Sequence, residues 1–285
     1  MSMNKTDPII FIADFFAHQV PGGGELNNKN LIELLESSGH KVNKINSGAV
    51  TPKFVWTNRH HKFIVANFVG LPSRSRLALA ATEYIIYEHD HKYLKSRNPA
   101  DFENYEAPAE EIINRGFYEK AKRVVCQSSF HEEIVRKNLK LDNITNVGGN
   151  LWSEEILDFL ATLSGADKAD KCSIMMTDNW HKNTAGAVKY CTSKDLSYDL
   201  IPGCEYKDFL AALGKNKKLV FFPHTPETLS RIVVEARMMG MSTITGQNIG
   251  AVHEKWFSLK GPALIDHMRS LRNKIPEAIL GYLAE

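Results

Sequence analysis

Residues 8–42 read PIIFIADFFAHQVPGGGELNNKNLIELLESSGHKV, and this stretch decides the fold class. PIIFIADFF, 8–16, is an apolar run of strand length. Pro21 and the glycines Gly22, Gly23 and Gly24 break it. Beyond them Leu31, Leu34 and Leu35 recur at helical spacing, and Gly39 provides the residue that closes such a helix. KVNKIN, 41–46, then reads as a second strand, so the chain opens with a β-loop-α-β unit.

Working outward, the alternation persists. KFIVANF (62–68), YIIYEHD (84–90) and KRVVCQS (122–128) read as strands. Helices are expected after Pro72, over APAEEIINRGFYEKA (107–121), and over SFHEEIVRKNL with Ser128 or Ser129 as its cap. The polar stretch ILDFLATLSGADKADK marks a domain boundary near residue 165, after which the pattern restarts. CSIMMTD, SYDLIPG, KLVFFPH and STITG are the next strands, with TAGAVKYCTS, EYKDFLAALGKN and LSRIVVEARMMG as helices between them. One or two helices finish the chain. The expected architecture is α/β, with two Rossmann-like doubly wound domains facing each other across a cleft. Residues 1–165 form the first and 166–270 the second, and a helix over 271–285 packs back towards the first. Two domains also suit 285 residues better than one core does.

Bulk properties narrow the function. No window approaches the roughly 18 apolar residues of a membrane span. The N-terminal run is interrupted by Asp14 and reads as a strand instead of a signal peptide, so a cytoplasmic protein is expected. Cys126, Cys172, Cys191 and Cys204 have no zinc-like spacing and read as reduced thiols. A net charge of +2 is too small to argue for nucleic acid. Arg74, Arg76, Lys92, Lys95 and Arg97 nevertheless concentrate positive charge in the first half.

In open parallel sheets ligands collect beyond the carboxyl ends of strands, so the loops there are the places to look. Four stand out. Gly22 to Glu25 lie between the first strand and first helix, where glycines allow positive φ and close approach, and helix N–H groups favour an anion. Glu88 to His91, EHDH, end a strand and could supply metal ligands, a general base or hydrogen bonds to sugar hydroxyls. Lys182 precedes a helix, where an ammonium and a helix N-terminus could together hold a diphosphate. In PETLSRIVVEARMMG, Glu227 falls in a loop and Glu235 about two turns into a helix, both suited to hydroxyl recognition.

Taken in order, these pieces resemble GT-B glycosyltransferases of the family-4 type, which move a sugar from a nucleotide-diphosphate donor with retention. The resemblance rests on GGGELNNKNLIELLESSGHKV, AKRVVCQSSFHEEIVRKNL and, most specifically, PETLSRIVVEARMMGMSTITG. It implies a metal-independent enzyme using a UDP-sugar, with no cofactor. Gly22, Gly23 and Gly24 would meet the donor phosphates and Lys182 the diphosphate. Glu227 would bind the donor sugar, Thr228, Leu229 and Ser230 would face the sugar or phosphate, and Glu235 would accept from the ribose. His89, Asp90 and His91 would lie near the acceptor and the reacting carbon. Thr177 stands where the family usually has arginine, and Thr228 where it has glycine.

The acceptor is expected to be a saccharide or small molecule, or a hydroxymethylated base in phage-type DNA flanked by the five basic residues named above. The competing expectation is a catalytically silent nucleotide-sugar-binding protein on the same fold.

Overall fold

A computed structural model describes residues 8–285. The opening seven residues of the first expected domain lie outside the described residues. The chain divides into two compact units, one running through Leu151 and taking in Leu271–Glu285, the other Trp152–Ser270.

Unit 1 alternates β1 (Ile9–Ala13), α1 (Gly23–Ser37), β2 (Val42–Asn46), α2 (Pro52–Thr57), β3 (Lys62–Val65), α3 (Ser73–Leu79), β4 (Tyr84–Tyr87), α4 (Arg115–Lys120), β5 (Val124–Cys126), α5 (Ser129–Leu139) and β6 (Ile144–Asn146). All six strands pair in parallel in the order β2-β1-β3-β4-β5-β6. The order reverses between β1 and β3, which makes the loops beyond those two strands the topological switch point. Every residue of β1 and of β4 is buried, as expected of strands covered on both faces. Ile10, Ile12, Phe63, Val65, Ile86 and Val124 belong to one core cluster.

Unit 2 comprises α6 (Glu154–Ser164), β7 (Ala169–Met175), α7 (Thr184–Ser193), β8 (Tyr198–Ile201), α8 (Tyr206–Leu213), β9 (Asn216–Phe221), α9 (Arg231–Met238) and β10 (Ser242–Thr245). The single helix α10 (Pro262–Ala284) ends the chain. Its sheet is parallel with order β10-β9-β7-β8, so its switch point falls between β7 and β9. A smaller cluster of Cys172, Ile174, Ala187, Cys191 and Val220 forms a core here. Cys126, Cys172 and Cys191 are buried free thiols and Cys204 is exposed.

Four segments differ from the sequence reading. Residues 107–121 are not one helix: a 3₁₀ turn at Ala109–Glu111 precedes α4, and Asn114 between them is left-handed at φ 58°. The stretch 156–171, read as a boundary, contributes its first nine residues to α6, which Ser153 caps by accepting from the Ile156 amide at 3.3 Å. α2 and β6 were not expected; α2 starts at Pro52 behind a Thr51 cap, a standard signal hidden by its shortness.

Candidate functional site

Unit 2 brings two of the expected residues together at its switch point. The loop after β7 folds into a 3₁₀ turn, Trp180–Lys182, in which Asn179 accepts from the His181 amide and left-handed Asn183 caps α7. The loop after β9 is pinned to the chain beyond β10, because the Glu227 amide donates to Asn248 and the Gly250 amide to Glu227, both at 2.9 Å. The two loops meet where Lys182 Nζ lies 2.7 Å from Glu227 Oε1, with the side chains 33% and 18% exposed. His181 Nδ1 and Thr225 Oγ1, 2.7 Å apart, and the His224 amide donating to the His181 carbonyl tie the loops further. Trp180 stacks on His224 with ring centroids 4.3 Å apart.

Just beyond Glu227, Thr228 is half-buried and Leu229 buried. Ser230 holds φ +78° at the N-terminus of α9; its Oγ is buried without a partner, and no side chain caps the helix. A polar group in that state, on a backbone conformation that L-residues rarely adopt, marks a site that folding alone does not explain.

Glu235, expected to accept from the ribose, lies in α9 with its carboxylate turned into unit 2. It is 3% exposed, and its Oε1 accepts from Trp152 Nε1 at 2.9 Å and Tyr206 Oη at 2.5 Å, with Arg231 Nε at 3.4 Å. Arg231 lies over the Trp152 ring, 4.3 Å from its centroid. Oε1 is thus committed to holding α8, α9 and Trp152 together. Burial pushes the Tyr206 phenol up, and the Glu235 carboxylate adds to the effect.

In unit 1, Asp14 at the end of β1 gathers the loops after three strands. Its carboxylate accepts from the Val69 and Gly70 amides at 2.9 Å each and from the Ser47 hydroxyl. These loops and the end of β4 surround an open cavity of about 880 Å³, lined among others by Asp14, Glu25, Asn67, His89, Asp90 and Arg97. Glu25, in the first turn of α1, turns back so that a side chain on Gly22 would come within 2.3 Å of its Oε2. Burial pushes its carboxyl above the usual range, with Asp14 adding to the effect. Gly22 has φ −81°, and neither it, Gly23 nor Gly24 adopts the positive φ expected from sequence. Here Gly22 makes room for Glu25, while a Cβ on Gly24 would lie 3.6 Å from the His89 side chain.

His89 Nε2 lies 2.7 Å from Asn28 Oδ1, an acceptor only, so Nε2 carries the proton and Nδ1 the lone pair. Burial, assisted by Lys92, lowers its pKa to about 3, so the ring is neutral near pH 7. Burial alone would raise the Asp90 carboxyl, but Lys92, His91, the His91 amide and Arg97 together outweigh it and lower it. Arg97 Nη1 sits 3.2 Å from Asp90 Oδ2.

The rest of EHDH is placed differently from expectation. His91 is 1% exposed, its Nδ1 is 3.0 Å from Tyr93 Oη, and its ring packs on His131. It lies in the core and not in the cavity. Glu88 is fully buried against Lys92 and Tyr118. Lys92, read as an acceptor-side cation, is therefore an internal counter-ion, 3% exposed. Lys95 pairs with Glu111 at 3.6 Å, and Arg74 and Arg76 have no carboxylate partner among the described residues. No group of three potential metal ligands occurs among the described residues.

Sequence reasoning missed Asp14, Asn28 and Asn67. A signal existed: NNKN places asparagines, poor helix formers, on the face of α1 that is buried. Asn27 there accepts from the Leu151 amide at 2.7 Å and donates to Tyr87 Oη at 2.7 Å.

The sequence matches no protein-family model and no curated protein. Solved structures do resemble the fold. An alpha-glucosyltransferase in complex with UDP and a 13-mer DNA containing an HMU base aligns at TM-score 0.50 and 9% identity, over 97% of this chain and 95% of that one. Alr3699/HepE from Anabaena, in complex with UDP and glucose, aligns at TM-score 0.53 and 13% identity, over 97% and 92%. The same protein with UDP-glucose gives 0.51 at 13% identity, over 97% and 92%. The fold is GT-B, built of two parallel α/β units.

Proposed function

We propose that this protein is a glycosyltransferase that moves a sugar from a UDP-sugar to a hydroxyl acceptor with retention. The observation that carries the reading is the 2.7 Å contact of Lys182 with Glu227 across the β7/β9 switch point. A cation and a carboxylate held at adjacent strand ends fit a donor with a diphosphate at one end and hydroxyls at the other. On donor binding, Lys182 turns to the diphosphate and Glu227 to the sugar hydroxyls. The amides around Leu229 and Ser230, at the uncapped start of α9, add positive potential where charge develops on the leaving group. The ammonium and helix terminus take the place of a metal cation in this scheme.

The reaction is front-face transfer. The anomeric C–O bond to the diphosphate breaks, the acceptor oxygen adds on the same face, and its proton passes to the departing diphosphate. His89, neutral and with Nδ1 available, accepts a hydrogen bond from the acceptor. The ribose contact expected of Glu235 is confined to Oε2, since Oε1 is committed. The test is Lys182→Ala and Glu227→Ala, assayed for UDP release with a panel of UDP-sugars. Full turnover by both folded variants would refute the reading.

A further inference from the structure

Resting on that reading, we propose that the acceptor is a neutral polyhydroxylated molecule, a saccharide in class, held in the unit 1 cavity chiefly by Asn67 and the Gln19–Asn46 amide pair, and that it is not a nucleic acid. The cavity, about 880 Å³, is within the range of roughly 300–1,000 Å³ typical of small-molecule sites.

Its lining has the chemistry of hydroxyl recognition. Asn46 Nδ2 donates to Gln19 Oε1 and to the Asp14 carbonyl, at 2.9 Å each, so two planar amides are fixed side by side on the rim. Asn67 donates only a long contact, 3.4 Å, to Glu25 Oε1, and its own Oδ1 accepts from no described residue. A planar group offering an oxygen and an N–H matches two vicinal hydroxyls at once. Phe15, 51% exposed on the same lining, presents an apolar face suited to the C–H face of a pyranose.

The charges argue against a phosphodiester. Asp14, Glu25 and Asp90 face one guanidinium, Arg97, and Asp90 already neutralises it. Of the five cations that could have lined a DNA path, Lys92 is buried on Glu88, and Lys95 and Arg97 have carboxylate partners. Arg74 and Arg76 do not line the cavity. Affinity for a duplex rests on several unpaired cations meeting phosphates, and two do not supply it.

The test measures saccharide binding separately from transfer. Saturation-transfer NMR with neutral mono- and disaccharides is run on the wild-type chain and on Asn67→Leu. A band shift with duplex DNA carrying a hydroxymethylated base at low salt runs beside it, and UDP release from UDP-sugars without acceptor reports on the donor. Expected are saccharide binding weakened at least tenfold by Asn67→Leu, acceptor-free UDP release by the wild-type chain, and no DNA shift. Salt-sensitive DNA binding without saccharide binding overturns the inference while leaving the donor reading intact. Saccharide binding with no donor turnover supports the cavity and overturns the donor reading. Saccharide binding untouched by Asn67→Leu overturns the assigned residues.

Discussion

In the proposed reaction Lys182 and Glu227 carry the donor chemistry as a pair, and the consequence of losing either is specific. Lys182→Ala removes the cation assigned to the leaving group, a group whose removal typically lowers turnover about 10²-fold; steady-state UDP release with and without the substitution checks it. Glu235 behaves differently, because its contacts are internal. Glu235→Ala leaves Arg231 buried without its carboxylate and strips Trp152 and Tyr206 of their acceptor, for an expected loss of about 3–5 kcal/mol of unit 2 stability in denaturant titration. A residue serving only the ribose would leave that midpoint unchanged. Ser230→Gly should do the opposite, raising stability by about 1 kcal/mol, because it relieves φ +78° and removes an unpartnered buried hydroxyl. If the strain serves the donor, that variant also loses affinity for UDP by calorimetry.

At the scale of elements, the parts that position the sites were the legible ones. The apolar runs at β1, β4 and β9, and the Gly and Pro breakers after β1 and β9, state where strands end and loops open. Glu227 and Lys182 could each be placed in a loop, but not in contact, since the strand order that makes β7 and β9 neighbours is a property of pairing across distant sequence. EHDH shows the opposite failure. Four polar residues in a row looked like one exposed cluster, yet Glu88 and Lys92 neutralise each other in the core and so draw His91 inward with them. The 107–121 segment misled because its local composition is helical while Asn114 turns left-handed. Asp14 links the loops after β1, β2 and β3, so Asp14→Ala should loosen all three together. A stability loss of about 2 kcal/mol is expected, with faster amide exchange at Val69 and Gly70 as the readout.

For the whole molecule, pH is the informative variable. His89, lowered from 6.5 to about 3, and His131, lowered well below 6.5, are both held neutral mainly by burial in unit 1. The unfolded chain binds protons below 6.5 that the folded chain refuses, so each histidine contributes stability that is present above 6.5 and is lost as pH falls towards the folded value. Each steepens the decline by up to about 1.4 kcal/mol per pH unit in that window. Denaturant midpoints at pH 7 and 4.5 check this, and an unchanged midpoint would contradict the burial of both rings. No helix among the described residues is long and apolar enough to cross a membrane.

The Lys182–Glu227 ion pair also bears on selectivity. An empty site whose cation and carboxylate already neutralise each other offers little to a ligand that can engage only one of them. Inorganic phosphate or pyrophosphate would detach the lysine and leave a half-buried carboxylate stranded, and a free sugar would do the reverse. Only a molecule bearing both functions, at the separation the two loops fix, replaces each partner as it removes it. Under the proposed function the pair thus acts as a coincidence requirement, by which the protein ignores the fragments of its donor and binds the intact donor.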